Sequence, residues 1–274
     1  MRVIYLDRAV SAALLTACMT LISSEGTAEE VKSPENKDVW EFELGAGATV
    51  SPEYEGSDEY EPGAVPYFHL SWKDTVVATT RGGGPGLYLQ KSWRDDFSTS
   101  LGVRYEGGRD QDDSDALDGL GDLDVGAVAV GNIAYEWGPV EFSAELAHDL
   151  TGDRDGTTAT LGAEYSKMLF ENRGRFAIGP TVTWADEEYM DNTFGISPTQ
   201  AASSRNNYSP FDAESGIKDV GLNASFSYAF TEHVSVLVSG EYARLLGDAA
   251  DSPLVDDEGS ANQFQGLVGL IYRW

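Results

Sequence analysis

Alternation of side chains with a period of two residues is the feature that most limits what this chain can fold into. The last stretch, residues 263–274, shows it clearly. One register of that stretch is apolar and aromatic, and the other is mixed. The apolar register contains Phe264, Gly266, Val268, Leu270, Tyr272 and Trp274. Because successive side chains of a strand point to opposite sides, residues 263–274 are predicted to form a β-strand with one apolar face.

The same alternation predicts strands along most of the chain. They are residues 39–50, 65–72, 75–81, 86–93, 97–106, 123–136, 140–149, 157–167, 176–184, 220–230, 234–244 and 263–274. In the clearest of them, Phe142 and Ala144 alternate with Ser143 and Glu145. The alternation fits two architectures, a soluble sandwich with its apolar faces inside and a membrane barrel with its apolar faces outside.

Connection lengths favour the barrel. Short and long connections alternate along the chain, and only residues 82–85 are short where a longer loop is expected. Short turns at one rim and long loops at the other are typical of outer-membrane barrels. Tryptophans also lie near predicted strand ends, as a membrane-interface belt requires: Trp40, Trp72, Trp93, Trp137, Trp184 and Trp274. We therefore predict an all-β fold, a closed antiparallel transmembrane β-barrel of about twelve strands, with short periplasmic turns and long extracellular loops.

The N-terminal segment has the pattern of a secretory signal. Arg2 and Arg8 precede an apolar run, and small residues follow it at 26–28. Residues 1–28 are therefore predicted to be a signal peptide, residues 29–38 a flexible periplasmic lead-in and residues 39–274 the outer-membrane barrel. An alternative stays open, because residues 15–18 match a lipobox in which Cys18 would be lipidated. Without Cys18 the mature chain has no thiol, which excludes disulfides and cysteine-based metal sites.

The net charge of the chain limits the kinds of partner that it can bind. The formal net charge is −28, which argues against nucleic-acid binding because that needs a basic surface. The acidic run at residues 110–115 resembles half a calcium loop, but it lacks the glycine and the closing glutamate of an EF-hand. It is interpreted either as a solvated external loop or as a weak divalent-ion contact with lipopolysaccharide. The expected partners of the chain are thus outer-membrane lipid and lipopolysaccharide.

The sequence contains no recognisable set of catalytic residues. The three histidines are His69, His148 and His233, and no motif pairs them with a serine nucleophile or an acid. The chain is predicted not to be an enzyme, and no cofactor or metal ion is expected.

Charged residues are predicted on the lumen side of the strands. They are Arg104, Glu106, Glu141, Glu145, Asp149, Glu164 and Glu241. They can be interpreted as a cross-linked polar lining or as an acidic lining that favours cations. Barrels of twelve strands lie between those filled by side chains and open porins, so both a narrow pore and a plugged interior are allowed.

Several stretches, in order along the chain, resemble the MipA/OmpV family of outer-membrane proteins. They are residues 54–60 with Pro66 and Tyr67, residues 119–124, residues 183–186 with Tyr189 and Met190, and residues 194–197, 216–221 and 245–253. Their motif positions include Tyr54, Gly56, Ser57, Asp58, Tyr60, Trp184, Asp186, Lys218, Asp219, Gly247 and Asp248. The blocks span about residues 40–274.

The resemblance implies an outer-membrane barrel, and together with the missing catalytic set it favours a non-catalytic role. One family namesake is a scaffold that brings a lytic transglycosylase together with a penicillin-binding protein at the peptidoglycan layer. Another is linked to solute passage and surface adhesion. Scaffold, narrow porin-like channel and adhesin therefore remain open at this stage. The long connection before residue 216 is expected to fold over or into the barrel mouth, which favours a closed scaffold.

Overall fold

A computed structural model describes residues 40–274, so the predicted signal peptide, the lead-in and Cys18 lie outside the described residues. The described chain forms twelve antiparallel strands that close into one barrel. The strands are β1 (Trp40–Pro52), β2 (Tyr60–Trp72), β3 (Val76–Thr79), β4 (Gly86–Arg94), β5 (Phe97–Glu106), β6 (Gly126–Trp137), β7 (Val140–Asp149), β8 (Thr157–Leu169), β9 (Gly174–Ala185), β10 (Gly216–Ala229), β11 (Val234–Leu245) and β12 (Asn262–Arg273). The predicted fold class is confirmed.

The barrel closes where β1 pairs with β12. Their register runs from Glu43 opposite Arg273 to Val50 opposite Gly266. A side chain at Gly45 would place its Cβ 2.3 Å from the carbonyl oxygen of Leu270. Glycine at this position therefore allows the first and last strands to approach closely enough to complete the hydrogen-bonded ring.

The apolar faces of the strands point away from the lumen. Leu101 is 66% exposed and Phe142 is 44% exposed. Outward leucines, valines and aromatics continue around the wall, including Leu44, Leu87, Leu89, Leu146, Leu161, Val238 and Leu270. An apolar surface of this extent is far larger than a soluble monomer carries. It matches the lipid-facing band of a membrane barrel, and it excludes the sandwich, in which these residues would be covered.

The two rims differ in the way that connection lengths predict. Residues 73–75, 95–96, 138–139, 170–173 and 230–233 form the short-turn rim, where β1 begins and β12 ends. Residues 53–59, 80–85, 107–125, 150–156, 186–215 and 246–261 form the long-loop rim. The tryptophans lie close to the rims on the outer surface, with Trp184 at the long-loop end and the other five at the short-turn end.

Strand ends differ from the predictions in places. β2 begins at Tyr60 rather than at residue 65, because Pro62 and Pro66 do not interrupt it. β10 begins at Gly216 rather than at 220, and β3 stops at Thr79 rather than at 81.

The long loops also contain short helices that alternation could not predict. They are α1 (Glu187–Phe194), α2 (Pro198–Ser203), α3 (Asp248–Asp251) and α4 (Pro253–Asp256), with 3-10 turns at Gln111–Asp113 and Asp115–Leu117. Within residues 40–274, none of the helices is long and apolar enough to cross a bilayer.

Candidate functional site

The long loops fold together over one mouth of the barrel. We call residues 53–59, 107–125, 150–156, 186–215 and 246–261 the loop cap. Its buried apolar side chains are Tyr54, Ala116, Leu117, Leu120, Tyr189, Met190, Phe194, Ile196, Tyr208, Ala213, Ala249, Leu254 and Val255, which pack with Ala185 and Leu245 of the strand ends. Of the three buried apolar clusters within residues 40–274, two thus lie in the cap, so the cap has a core of its own above the barrel wall.

Helix α1 begins directly after an N-cap residue, Asp186. The Asp186 carboxylate accepts a hydrogen bond from the Tyr189 amide at 3.0 Å, and Glu187 and Glu188 follow in the first turn. Acidic side chains at these positions stabilise a helix, because its N-terminal end carries a partial positive charge. Asp186 also accepts from the Thr157 amide at 2.8 Å. The N-cap therefore fixes the helix to the top of β8, and its apolar side turns into the cap core.

Helix α2 ties two loops together. Ser197 and Gln200 form a capping box at its start. The Gln200 side-chain amide then donates to the carbonyl oxygen of Leu120 at 2.6 Å. Arg205 beyond the helix pairs with Asp118 at 2.6 Å. Residues 186–215 are thereby fastened to residues 107–125, across the mouth.

The loop after β1 enters the same core. The buried Tyr54 hydroxyl donates to the carbonyl oxygen of Leu254 at 3.3 Å, and burial raises the pKa of this phenol. Gly56 has a φ of +105°, which favours glycine, and its amide donates to the Gln263 side chain at 3.2 Å. Ser57 pairs with Gly259 in a short antiparallel bridge. The loop at 53–59 is therefore bound to the start of β12 and to the loop before it.

A buried ionic group holds the cap to the barrel. The Lys218 ammonium donates to Glu55 of the cap and lies 2.9 Å from Asp219, its neighbour on β10. The Tyr189 hydroxyl of α1 donates to the other Glu55 oxygen at 3.1 Å. The side chains of Lys218, Glu55 and Asp219 are each 5% exposed or less. We call these three residues the Lys218 triad. The single Lys218 charge thus lies between two buried carboxylates, and both carboxylates depend on it because a buried charge that loses its partner is costly.

A second set of ion pairs lies in the lumen directly below. Arg104 pairs with Glu145 at 3.1 Å, and Arg154 approaches Glu106 to 3.9 Å. Within the cap, the Arg109 guanidinium donates to the carbonyl oxygen of Thr193 at 3.0 Å. Burial, together with the nearby Arg154 charge, lowers the pKa of Arg109 to about 10. Basic side chains therefore neutralise part of the acidic lining just beneath the cap.

The lower half of the lumen is open space. A cavity of about 540 Å³ is lined by residues of both the strands and the short turns, including Pro139, Asn172 and His233, so it reaches the short-turn rim. Its walls carry hydroxyls and amides such as Ser98, Ser100, Asn132, Ser143, Ser166 and Ser227. A volume of this size is in the range that holds a small ligand. The barrel is thus closed at the long-loop end and hollow at the other.

The structure places the predicted lumen residues at three levels. Arg104, Glu106, Glu145, Asp149 and Glu241 line the small space under the cap. Glu164 lies at mid-height, where it pairs with Arg175 at 2.9 Å, and Glu141 lines the lower cavity. The arrangement is closest to a cross-linked polar lining, since Glu106, Glu145 and Glu164 each face an arginine.

Sequence patterns missed a cluster around Glu43 of β1. Glu43 accepts from the Tyr67 hydroxyl at 2.6 Å and from Arg81 at 2.5 Å. Its other oxygen accepts from Arg273 of β12 at 2.8 Å. The cluster therefore staples the seam between the first and last strands. A glutamate and an arginine in two distant strands of the alternating pattern give no sequence signal for this pairing.

Most of the family-motif residues converge on the cap. Tyr54, Gly56, Ser57, Lys218 and Asp219 make the contacts described above, and Asp186 caps α1. Asp248 accepts from the Glu214 amide at 2.8 Å, and Gly247 before it has a φ of +53°. Tyr60 and Trp184 stand outside, at the long-loop ends of β2 and β9, and Asp58 is exposed. Blocks that are far apart in sequence thus meet to build one structure.

The remaining candidates stand apart from one another. His69 faces the lumen, His148 lies outside beside Thr157, and His233 lies at the short-turn rim beside the carbonyl of Arg273. In the acidic run, Asp110 caps the first 3-10 turn and Asp113 closes its capping box. Among residues 40–274, no group of three or more His, Cys, Asp or Glu side chains is arranged to hold a metal ion.

Comparison with known proteins gives a family match over most of the chain and several more distant likenesses. A family model described as "MltA-interacting protein MipA" matches residues 44–274. The Escherichia coli (strain K12) protein named "Putative outer membrane protein YiaT" is 27% identical over 243 residues, which cover 85% of this chain and 91% of that protein.

Two solved outer-membrane barrels illustrate distant likenesses. The COG4313 outer membrane channel from Pseudomonas putida F1 has a TM-score of 0.45 and 10% identity, covering 88% of this chain and 100% of that one. Pseudomonas putida OprB has a TM-score of 0.41 and 8% identity, covering 86% and 94% of the two chains.

Proposed function

The chain belongs to the MltA-interacting protein MipA family and lies in the outer membrane, and we propose that it acts there as a non-catalytic scaffold for peptidoglycan enzymes. In this proposal, the partner is a lytic transglycosylase, with a penicillin-binding protein as a second partner on the same assembly. The partners approach from the periplasm and dock at the short-turn rim.

The observation that carries the proposal is the asymmetry of the barrel. The long-loop mouth is filled by the loop cap and sealed by the Lys218 triad. The cavity of about 540 Å³ instead reaches the short-turn rim. A barrel built only for passage would keep both ends open, whereas a barrel that presents one hollow, charged rim to the periplasm suits a docking platform.

The short-turn rim offers charges that a partner can meet. Lys73 in the β2–β3 turn and Arg94 at the end of β4 are exposed there, and Arg94 forms a solvent-exposed ion pair with Asp96 at 3.0 Å. Exposed charges of this kind contribute more to the rate and specificity of association than to the fold. They can therefore be reversed with little effect on the barrel.

The proposal is tested by co-purification of a lytic transglycosylase of the MltA type from detergent-extracted membranes. The double variant Lys73→Glu/Arg94→Glu should recover much less of the enzyme than the wild-type protein. The control is Arg244→Glu, a charge reversal at the exposed long-loop end of β11, and it should recover wild-type amounts. Absence of the enzyme from the wild-type eluate, or equal recovery in all three proteins, contradicts the proposal.

A narrow channel for small solutes is the second candidate. It is favoured by the polar cavity in the lower lumen, whose walls would suit a hydroxylated solute. For this function the loop cap has to open. Swelling of vesicles that contain the wild-type protein in isotonic solutions of small sugars separates the two candidates: swelling supports the channel, and constant size supports the closed scaffold.

A further inference from the structure

The lumen wall carries a row of three polar side chains on neighbouring strands at mid-height. Asn223 of β10 lies directly opposite Glu241 of β11, and Glu241 lies directly opposite Gln265 of β12. Side chains that are directly opposite in an antiparallel pair have Cβ atoms about 5 Å apart. All three residues line one small pocket in the wall. We call them the Glu241 row.

Glu241 carries a charge that the surrounding side chains do not compensate. It is half-buried, and it forms no salt bridge with any of residues 40–274. Three basic residues share the space under the cap with it. Lys218 already lies between the two carboxylates of its triad, and Arg104 and Arg154 each face another glutamate. A carboxylate that is drawn out of bulk water in this way needs either a cation or a proton to compensate it.

Gln265 supplies an independent sign of a ligand at the same place. Its side chain is only 8% exposed, and its Oε1 atom has no hydrogen-bond partner among residues 40–274. A buried acceptor without a partner is costly, so this oxygen needs a donor or a cation. Asn223, on the other side of Glu241, has an unpaired amide nitrogen instead. One oxygen of the Glu241 carboxylate can accept from that nitrogen, which leaves its other oxygen for the Gln265 side.

Two hydroxyl groups complete the pocket. Ser225 and Ser239 line it and lie directly opposite each other on β10 and β11. By two-residue alternation they face the lumen, as Asn223 and Glu241 do. The pocket therefore offers a carboxylate oxygen, an amide oxygen and two hydroxyl oxygens. Oxygen ligands of this kind suit hard cations and do not suit soft transition metals.

Size and charge favour a small monovalent cation. The pocket has a volume of about 30 Å³. One water needs roughly 10–15 Å³ of such space, so the pocket is too small for an organic cation. Calcium takes about six to eight oxygens, several of them from carboxylates, whereas no three acidic side chains converge on a metal site within residues 40–274. The one uncompensated carboxylate balances a single positive charge.

An ion can reach the pocket through open space. Ser227 and Leu237 line the cavity of about 540 Å³ that opens at the short-turn rim. Ser225 and Ser239 are the next inward residues along the same two strands, and they line the pocket. The Glu241 row thus lies just above the blind end of the lower cavity and just below the Lys218 triad.

We propose that the Glu241 row binds one small monovalent cation, Na⁺ or K⁺, through Glu241, Gln265 and the two serine hydroxyls. The ion compensates the Glu241 carboxylate and occupies the Gln265 oxygen. Lys218 is then left to its two triad partners, because Glu241 no longer competes for it. The site holds whether the barrel acts as a scaffold or as a channel.

The first test is the thermal unfolding midpoint of the full protein in detergent micelles at alkaline pH, where a proton does not replace the cation. Equal concentrations of NaCl, KCl and N-methyl-D-glucamine chloride are compared at one heating rate. The glucamine cation is too large for the pocket, so the midpoint should be several degrees higher in NaCl or KCl. Equal midpoints in all three salts overturn the proposal, because the row then holds only water or a proton.

Two matched pairs of variants assign the effect to the row. Glu241→Gln removes the charge at nearly constant shape and should abolish the difference between the salts. Glu141→Gln makes the same change in the lower cavity and should keep it. Gln265→Met removes the amide oxygen at nearly constant volume and should reduce the difference, whereas Gln90→Met, also in the lower cavity, should not. A wild-type difference in Glu241→Gln overturns the proposal.

The second test locates the ion. Crystals of the wild-type protein grown in RbCl should show an anomalous scattering peak between Glu241 and Gln265, and crystals of Glu241→Gln should lack it. Absence of a peak at the row in the wild-type protein overturns the proposal. A peak without any salt-dependent change in the unfolding midpoint would mean an adventitious ion only, and this result overturns it as well.

Discussion

Lys218 is the residue on which the closed mouth depends most directly. Its ammonium joins Glu55 of the cap to Asp219 of the barrel, and all three side chains are buried. A buried charge that loses its partner is costly, in contrast to a surface ion pair. The seal therefore rests on a charge balance that a single substitution can remove.

Lys218→Met should loosen the cap, because it leaves Glu55 and Asp219 buried without their cation. Loss of one partner of a buried pair typically costs about 3–5 kcal/mol. The measurement is the rate of protease cleavage within residues 186–215, which should rise strongly. Lys167→Met, the same change at an exposed site on the outer wall, should leave the rate unchanged. Equal rates in the two variants would contradict the role of the triad.

The raised pKa of Glu53 predicts that the stability of the loop at residues 53–59 depends on pH. Burial, with the nearby Glu59 and Glu61 charges, raises the pKa of this carboxyl above its ordinary 4.5. The folded loop therefore favours the protonated carboxyl. The stability that this protonation adds to the folded loop is fully present below pH 4.5, and it is lost as the pH rises through the raised pKa of Glu53. Amide exchange of residues 53–59, corrected for intrinsic rates, should be more protected at low pH.

Glu53→Gln should remove most of that pH dependence, because the glutamine stays neutral throughout. Asp74→Asn, at an exposed short turn, serves as the control and should preserve it. An unchanged pH profile in Glu53→Gln would show that another group controls the loop.

At the scale of elements, the wall could be predicted and the cap could not. Period-two alternation is a local signal, so twelve strands and their rims follow from it, with errors only at ends such as β2. The cap depends on pairs far apart in the chain, such as Tyr189 with Glu55, which are 134 residues apart. The sequence pattern predicts Lys218 in a loop, because the predicted strand starts at residue 220, whereas the structure places it on β10. The pattern therefore does not predict its buried ion pair. Only the length of the connection before β10 signalled that something would cover the mouth.

Helices α1 and α2 should be required for the seal. Replacement of residues 187–203 by a short glycine-serine linker removes Tyr189, Met190 and Phe194 from the cap core while all twelve strands remain. Release of a small trapped dye from vesicles should then become fast. The same linker inserted in the short turn at residues 95–96 should not cause release. Dye retention by the α1–α2 replacement would show that the other loops suffice.

At the scale of the whole molecule, the barrel is a cup that stands in the outer membrane with its closed end outward. Its apolar outer face fixes it in lipid, its seam is stapled by Glu43, and its hollow end faces the periplasm in the proposed scaffold. The interior is neither filled throughout nor open throughout, which is the intermediate case expected of twelve strands. In the proposed scaffold, docking at one rim and closure at the other both follow from the uneven distribution of long and short loops.

The most direct test of the closed end is the single-channel conductance of the full-length wild-type protein in planar bilayers at neutral pH. A sealed cap predicts no steady open current, with current appearing once Lys218→Met or the α1–α2 replacement is used instead. A steady open current through the wild-type protein would contradict the sealed barrel.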